Sequence, residues 1–340
     1  MPAGKSRHDF YQPHMLFCHR KEMNPMTSIQ SKTSPPYSGR LKRSAKSVRR
    51  HWQLYLLVIL PVIYLVMFSY VPMYGIIIAF KDYNISQSIA ESPWVGLKHF
   101  RAFFTSYQFP RLMANTIGLS VYNIAAGILP PILLALALNY CKHKLFGKAV
   151  QMVTYMPYFI STVLVIGLLN QMLSLTGPIN TLIKNLGYTP VLFLGEAKLF
   201  KTIYVFSGLW ANTGYNAVIY LAALASVNPE LYEAAIVDGA SIWQRIRHID
   251  VPSILPTATI LLIMSCGKVL SVGYEKVLLL QNDLNMANSD IISTYVYRIG
   301  LISMQYSFST AVGLFQSVVS LLIVTGVNAI SGKISETSLW

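Results

Sequence analysis

The sequence predicts an all-α integral membrane protein with six transmembrane helices and both termini on the cytoplasmic side. Of its 340 residues, 54% are hydrophobic and only 12% are charged, whereas soluble domains carry about 25% charged residues. Six apolar stretches are each close to the ~20 residues that a helix needs to cross the hydrocarbon core. They run over residues 53–80, 115–140, 150–174, 202–226, 254–280 and 309–331.

Basic residues are distributed unevenly, and this predicts the orientation. The net charge is +14, and residues 1–53 hold eleven Lys and Arg against two acids, Asp9 and Glu22. With the N-terminus inside, the inner segments hold 17 Lys and Arg and the outer segments hold eight. The positive-inside rule therefore favours N-in, C-in. Such clustering is typical of contact with the lipid bilayer's anionic headgroups, and we expect no nucleic-acid partner.

The chain divides into a basic tail, a membrane domain and a short C-terminal tail. Residues 1–52 lack apolar periodicity and are rich in Ser, Pro, Lys and Arg, which is typical of a disordered cytoplasmic tail. We expect the membrane domain over residues 53–332 and the C-terminal tail over 333–340. The three cysteines are far apart and fit no disulfide or zinc spacing, so no metal site is expected.

Prolines interrupt the first three spans, at Pro61, Pro72, Pro130, Pro131 and Pro157. In a bilayer, the carbonyls that a proline frees must be satisfied by other protein groups or by water. We therefore expect the helices to pack as a bundle, with small residues along the fourth span permitting close contact. For any one proline, an ordinary kink and a gating hinge explain the residue equally well.

The best-organised polar segment is residues 228–252, between the fourth and fifth spans. It opens with Asn228, a typical N-cap, and Pro229 then fits the first helical position. Glu230 follows in the first turn, where the helix dipole favours an acid. Gly239 allows the backbone to turn after this first helix.

A second helical stretch in the same segment is predicted over residues 241–249. It is expected to end at residues 250–252, because Pro252 suits the entry into the next span. Two short helices joined at a glycine form a shape that a partner could bind.

The spacing E-A-A-x-x-D-G-A-x8-I-x-[LV]-P in this segment resembles the E-A-A loop of the membrane subunits of binding-protein-dependent ABC importers. Val251 stands where that family usually has leucine. In such importers the loop forms a coupling helix that sits in a cleft of the cytoplasmic ATPase. We call residues 228–252 the E-A-A loop. The ATPase-coupling residues that the resemblance implies are Glu233, Ala234, Ala235, Asp238, Gly239 and Ala240.

The resemblance extends to carbohydrate-importer permeases, particularly the branch that serves oligosaccharides released from polysaccharides. It covers approximately residues 54–330, and His99 departs from the asparagine that is common in that branch. The stretches that carry it are residues 70–84, 96–100, 156–161 and 177–180.

This resemblance implies a type I ABC importer permease fold in a bacterial cytoplasmic (inner) membrane. The implied partners are a second, homologous permease in a heterodimer, two ATPase subunits, an extracellular or periplasmic solute-binding protein and an oligosaccharide. ATP and Mg would bind the partner ATPase. The chain itself has no G-x-x-x-x-G-K-[ST] phosphate loop and no catalytic constellation, so no cofactor is expected on it.

An ion-coupled secondary transporter is the alternative. Such a protein would need inverted repeats, broken helices at the midplane and buried carboxylates. We find no repeat, and Glu275 is the only acid that we place within a span.

A path for sugars requires amide and aromatic side chains together, and an ionisable residue in a span normally faces a cavity or a partner. Interhelical hydrogen bonds explain the polar residues equally well, and snorkelling at the interface explains Glu275 and Lys276 somewhat better than ligand contact. The substrate-path candidates are Asn170, Gln171, Asn212, Tyr215, Asn216, Lys268, Tyr274 and Glu275.

Overall fold

The computed structural model describes residues 50–334 and 338–339, and this part of the chain is mostly helical. The predicted disordered tail lies outside the described residues except for residues 50–52, as does half of the predicted C-terminal tail. Within the described ranges the backbone forms no strand beyond one isolated bridge between Lys81 and Trp94.

The described α-helices of four residues or more are numbered in chain order. They are α1 Trp52–Leu65, α2 Lys98–Thr105, α3 Phe109–Asn139, α4 Lys144–Tyr155, α5 Thr162–Leu173, α6 Pro178–Asn185, α7 Phe200–Ala225, α8 Pro229–Val237, α9 Ile242–Gly267, α10 Tyr274–Leu280, α11 Met286–Ser289, α12 Ile292–Tyr297 and α13 Tyr306–Ile334.

Five helical segments of the described chain are long and apolar enough to cross a membrane, whereas six spans are predicted. The predicted span 202–226 folds as α7, and the 26 residues of this helix would extend about 39 Å at the usual rise. Its polar side chains, such as Lys201 and Asn212, lower its hydropathy. The five segments are Trp52–Phe80, Phe109–Asn139, Thr162–Asn185, Ile242–Gly267 and Tyr306–Lys333.

The predicted third span, residues 150–174, is not one continuous helix. α4 ends at Tyr155, and a 3₁₀ turn over Met156–Phe159 with the buried Pro157 separates it from α5. Proline lacks the N–H that an α-helix needs and restricts the residue before it, so the α-helical ladder stops here.

The predicted fifth span, residues 254–280, is also broken. α9 ends at Gly267, Lys268 adopts φ −99° and ψ 9°, and Gly273 has a φ of +33° before α10 begins. The Ser120 hydroxyl and the Gln316 amide donate hydrogen bonds to backbone carbonyls freed at this break. Side chains of α3 and α13 thereby supply the partners that broken backbone requires in a membrane.

The predicted end of the second E-A-A helix at residues 250–252 is wrong. The helix continues through Pro252 as α9. A π-type turn over Ile246–Asp250 lies immediately before the proline, and such a turn accommodates the local loss of a helical hydrogen bond.

Residues 50–69 form a unit of their own, a helix whose side chains are exposed along its length. In the second unit, residues 70–340, α3 and α7 pack together and α9 contacts both. One apolar cluster on these helices comprises Ala135, Leu136, Ala217, Tyr220, Leu224 and Ile254. A second cluster at the opposite end includes Leu119, Tyr204, Val205, Val272 and Val277.

Candidate functional site

The E-A-A loop begins with α8, whose N-terminus is fully capped. The Asn228 side chain accepts a hydrogen bond from the Glu230 backbone N–H at 3.1 Å and donates one to the Glu230 carboxylate at 3.1 Å. Pro229 occupies the first helical position. The predicted helix start is therefore confirmed, and no side chain of α8 is buried.

The C-terminus of α8 is capped at Gly239. The Gly239 N–H donates to the Ile236 carbonyl at 3.0 Å, and the Ala240 N–H donates to the Ala235 carbonyl at 2.8 Å. These two bonds define a Schellman motif. Gly239 has a φ of +74°, which residues with a side chain rarely adopt, so the predicted turn at this glycine is confirmed.

A capping box starts the helix that follows. The Ser241 hydroxyl accepts from the Gln244 N–H at 3.4 Å, and the Gln244 side chain accepts from the Ser241 N–H at 2.7 Å. The predicted helix over residues 241–249 begins here, and the pattern S-x-x-Q at residues 241–244 is the usual signal of a capping box.

Apolar side chains project from both E-A-A helices into open space. The exposed fraction is 87% for Val237 and 78% for Trp243, and Leu231, Ile236 and Ile242 are also exposed. An exposed apolar patch within a polar loop is typical of a protein interaction surface. The six residues of the motif lie on the same two-helix unit: Glu233, Ala234, Asp238 and Gly239 are exposed, and Ala235 and Ala240 are half-buried.

A buried carboxylate connects α8 to the membrane helices. Asp250 is completely buried within α9. It accepts a hydrogen bond from the Tyr232 hydroxyl of α8 at 2.5 Å and one from the Tyr140 hydroxyl, just past the end of α3, at 2.8 Å. The Arg245 guanidinium lies over the Tyr140 ring, 5.4 Å from its centroid. We call Tyr140, Tyr232 and Asp250 the Asp250 junction.

Both phenols of the Asp250 junction are held in the protonated form. Burial, and then the hydrogen bond to Asp250, raise the pKa of Tyr140 to about 12. The same two causes raise the pKa of Tyr232. Both side chains therefore donate at neutral pH. Two converging donors satisfy a buried carboxylate that forms no ion pair within the described ranges.

A cavity of about 330 Å³ lies between α3, α7 and α9, within the range of small-molecule sites. Lys268, at the break after α9, lines it and forms no ion pair with a described residue. The other polar residues of its wall are Ser120, Asn123, Tyr204, Asn216, Tyr220, Ser265 and Ser271. Hydroxyl, amide and ammonium groups in one cavity can hydrogen-bond a hydroxylated ligand.

Two of the eight substrate-path candidates, Asn216 and Lys268, meet at this cavity. The Asn212 amide donates to the Gly208 carbonyl of its own helix at 2.8 Å, and Tyr215 stacks on Tyr158 with ring centroids 3.8 Å apart. The remaining candidates also lie outside the cavity wall. Asn170, Gln171 and Glu275 are exposed, and Tyr274 packs against Tyr297.

Lys276 departs from the predicted snorkelling. Its ammonium group donates to the Tyr204 carbonyl at 2.7 Å and lies 4.5 Å from the centroid of the Tyr204 ring. The side chain therefore turns into the protein and fixes α10 against α7.

Sequence reasoning missed Asp250 and the polar residues of α3. Asp250 could have been found because an acid two residues before Pro252, at the entrance to an apolar stretch, requires partners when it is buried. Ser120 and Asn123 lie in the second predicted span, and no local pattern distinguishes them from other polar residues of an apolar helix.

Comparison with known proteins identifies the family. Residues 127–335 match the model of the family described as binding-protein-dependent transport system inner membrane component. The chain belongs to this family of ABC importer permeases. Protein LplB of Bacillus subtilis (strain 168) is 39% identical over 86% of this chain and 93% of the relative. The polygalacturonan/rhamnogalacturonan transport system permease protein YteP of the same organism is 42% identical over 84% of this chain and 90% of the relative.

A solved structure agrees with this assignment. The crystal structure of a bacterial ABC transporter involved in the import of the acidic polysaccharide alginate contains a chain that superposes with a TM-score of 0.79. That chain is 40% identical, and the match covers 86% of this chain and 99% of the other. The predicted class, a carbohydrate ABC importer permease, is confirmed, and the comparisons give no support to the ion-coupled alternative.

Proposed function

We propose that this chain is one of two permease subunits in an ATP-driven importer of oligosaccharides. A solute-binding protein would deliver the substrate from outside, and two ATPase subunits would bind ATP and Mg and drive transport. One relative of known structure is a complex with an alginate pentasaccharide-bound periplasmic protein, which supports the expected binding-protein partner. A second, related permease would complete the pathway as a heterodimer.

The observation that carries this proposal is the exposed, doubly capped helix α8. Its caps keep it helical without burial, and its apolar side chains point away from the bundle. In the proposed complex α8 docks into the ATPase. Glu233 would face a basic residue there, Ala234 and Ala235 would permit close approach, and Gly239 would set the bend.

The proposed topology has six spans, with α7 as the additional one, and both termini in the cytoplasm of a bacterium. This arrangement places the E-A-A loop inside, where an ATPase can reach it. The excess of Lys and Arg in the inner segments supports the orientation.

The cavity between α3, α7 and α9 supports an oligosaccharide that carries carboxylates. Lys268 lines this cavity without an acidic partner in the described chain, and a uronic acid would provide one. The structural relative at 40% identity imports an acidic polysaccharide. Asn216 and Asn123 would then hydrogen-bond the sugar hydroxyls.

The test is to tag the chain at its C-terminus, extract it gently from native membranes and identify what co-purifies. We expect an ATPase and a second membrane subunit. Glu233→Lys should release the ATPase and retain the second permease, because it reverses a charge at the docking helix. Glu196→Lys, an exposed charge reversal in the loop before α7, is the matched control and should retain both.

Two results would contradict the proposal. The first is a chain that purifies alone across several mild detergents. The second is sugar uptake that persists without ATP and follows an ion gradient instead.

A further inference from the structure

The Asp250 junction joins α8 to the membrane helices through hydrogen bonds between side chains. No side chain of α8 is buried, so packing gives this helix little hold on the bundle. The Tyr232 hydroxyl reaches out of α8 to Asp250, and Asn139, at the end of α3, lies beside the same hydroxyl. A charge-assisted hydrogen bond of 2.5 Å is shorter and stronger than a bond between neutral groups.

The partners of Asp250 belong to the helices that enclose the cavity. Asp250 is part of α9, and Tyr140 follows the last residue of α3. Both α3 and α9 contribute cavity residues, including Ser120 of α3 and Ser265 of α9. A displacement of α8 that is transmitted through one carboxylate would therefore reach two walls of the cavity.

We propose that Asp250 is the link through which the E-A-A loop moves the membrane helices, with Tyr232 and Tyr140 clamping its carboxylate from α8 and α3. The three side chains are positioning residues that make α8, α3 and α9 move as one body. This inference rests on the proposed function, since it takes the ATPase to be the source of the movement.

The clamp depends on the hydrogen bonds that the two phenols donate to the Asp250 carboxylate. Loss of either phenol leaves a fully buried carboxylate with one donor fewer, which is costly in a low-dielectric interior. Arg245, stacked on the Tyr140 ring, keeps that ring in place without an ion pair to Asp250 in the described structure. Tyr→Phe substitutions preserve the packing and remove only the hydrogen bond.

The experiment uses the complete transporter in proteoliposomes and measures the number of sugar molecules imported per ATP hydrolysed. Tyr232→Phe and Tyr140→Phe should each lower this ratio about tenfold, the effect of losing a hydrogen bond to a charged group, while ATP hydrolysis continues. Tyr122→Phe on α3 is the matched control, because the Tyr122 hydroxyl makes no hydrogen bond in the described structure. A merely structural role would lower uptake and hydrolysis together.

A double-mutant test locates the effect at the carboxylate. In an Asp250→Ala background, Tyr232→Phe should cause no further fall in the ratio, because the bond is already lost. The proposal would be overturned if the two substitutions lowered the ratio independently, so that their effects multiplied in the double mutant. It would also be overturned if Tyr232→Phe alone kept the wild-type ratio. If wild-type complex hydrolyses ATP without importing sugar, both this inference and the proposed function are wrong.

Backbone hydrogen exchange provides a readout that does not depend on transport. Tyr232→Phe should speed exchange in residues 229–237 of the assembled complex, since α8 would lose its tether. Unchanged exchange in this segment would overturn the clamp even if uptake were impaired.

Discussion

Lys268 is the residue at which the substrate hypothesis can be tested most directly. Lys268→Met removes the charge and retains much of the length of the side chain. For a carboxylate-bearing oligosaccharide we expect the KM of uptake to rise about tenfold, because a hydrogen bond between charged groups is lost. For a neutral oligosaccharide of equal length the KM should change little.

Lys184→Met is the matched control for this substitution. Lys184 is exposed on α6 and does not line the cavity, so uptake should be unaffected. Equal losses for acidic and neutral sugars in Lys268→Met would show that this lysine supports the break after α9 and does not recognise the substrate.

At the residue scale, local chemistry was predictable and long-range pairing was not. Asn228, Pro229 and Gly239 act within a few residues of their own positions, so their roles as cap, first helical residue and turn follow from the sequence. Asp250 pairs with Tyr140, 110 residues away, and no local pattern identifies that partner. The ATPase-coupling roles of the E-A-A residues and the substrate contacts remain predictions.

At the scale of elements, α7 and α4 approach each other so closely that one glycine controls the contact. A Cβ on Gly214 would lie 2.0 Å from the backbone oxygen of Thr154. Backbone cannot yield as a flexible side chain can, so the helices must separate. We expect Gly214→Ala to destabilise the folded protein by about 1–3 kcal/mol, as overpacking in a core does.

Heating the protein in detergent and monitoring the loss of its monodisperse peak measures this change in stability. Gly313→Ala is the matched control, because no atom lies within 4 Å of the position of its Cβ. A Gly214→Ala protein as stable as wild type would show that α4 and α7 are not in close contact.

Helix interruptions were partly predictable from sequence. Pro157 gives a visible reason for the break between α4 and α5. The break at Lys268 depends on carbonyl partners from other helices, Ser120 of α3 and Gln316 of α13, and an apolar run such as 254–280 contains no sign of them. Conversely, Pro252 predicts the end of a helix, but a π-type turn before this proline lets α9 continue.

At the scale of the whole molecule, the contacts between loops support a prediction of how many times the chain crosses the membrane. The Asp250 junction brings the end of α3 together with α8 and the start of α9. In the proposed topology, α4 and α5 together carry the chain from that end to the loop before α7 on the opposite side. We expect α7 to bring the chain back to Tyr232 by crossing the membrane, although the hydropathy of α7 alone does not mark it as a span. Two of the polar side chains that lower its hydropathy are turned into the protein: Asn216 lines the cavity and Ser207 is buried.

We therefore predict that residues on either side of α7 are accessible from opposite sides of the membrane. In a background without Cys18, Cys141 and Cys266, a cysteine at Lys198 should react with an impermeant maleimide on intact cells. A cysteine at Ser226 should react only after permeabilisation. Lys198 and Ser226 are both exposed, so burial would not explain a difference in labelling. If both positions reacted from the same side, α7 would not cross the membrane and the six-span topology would be wrong.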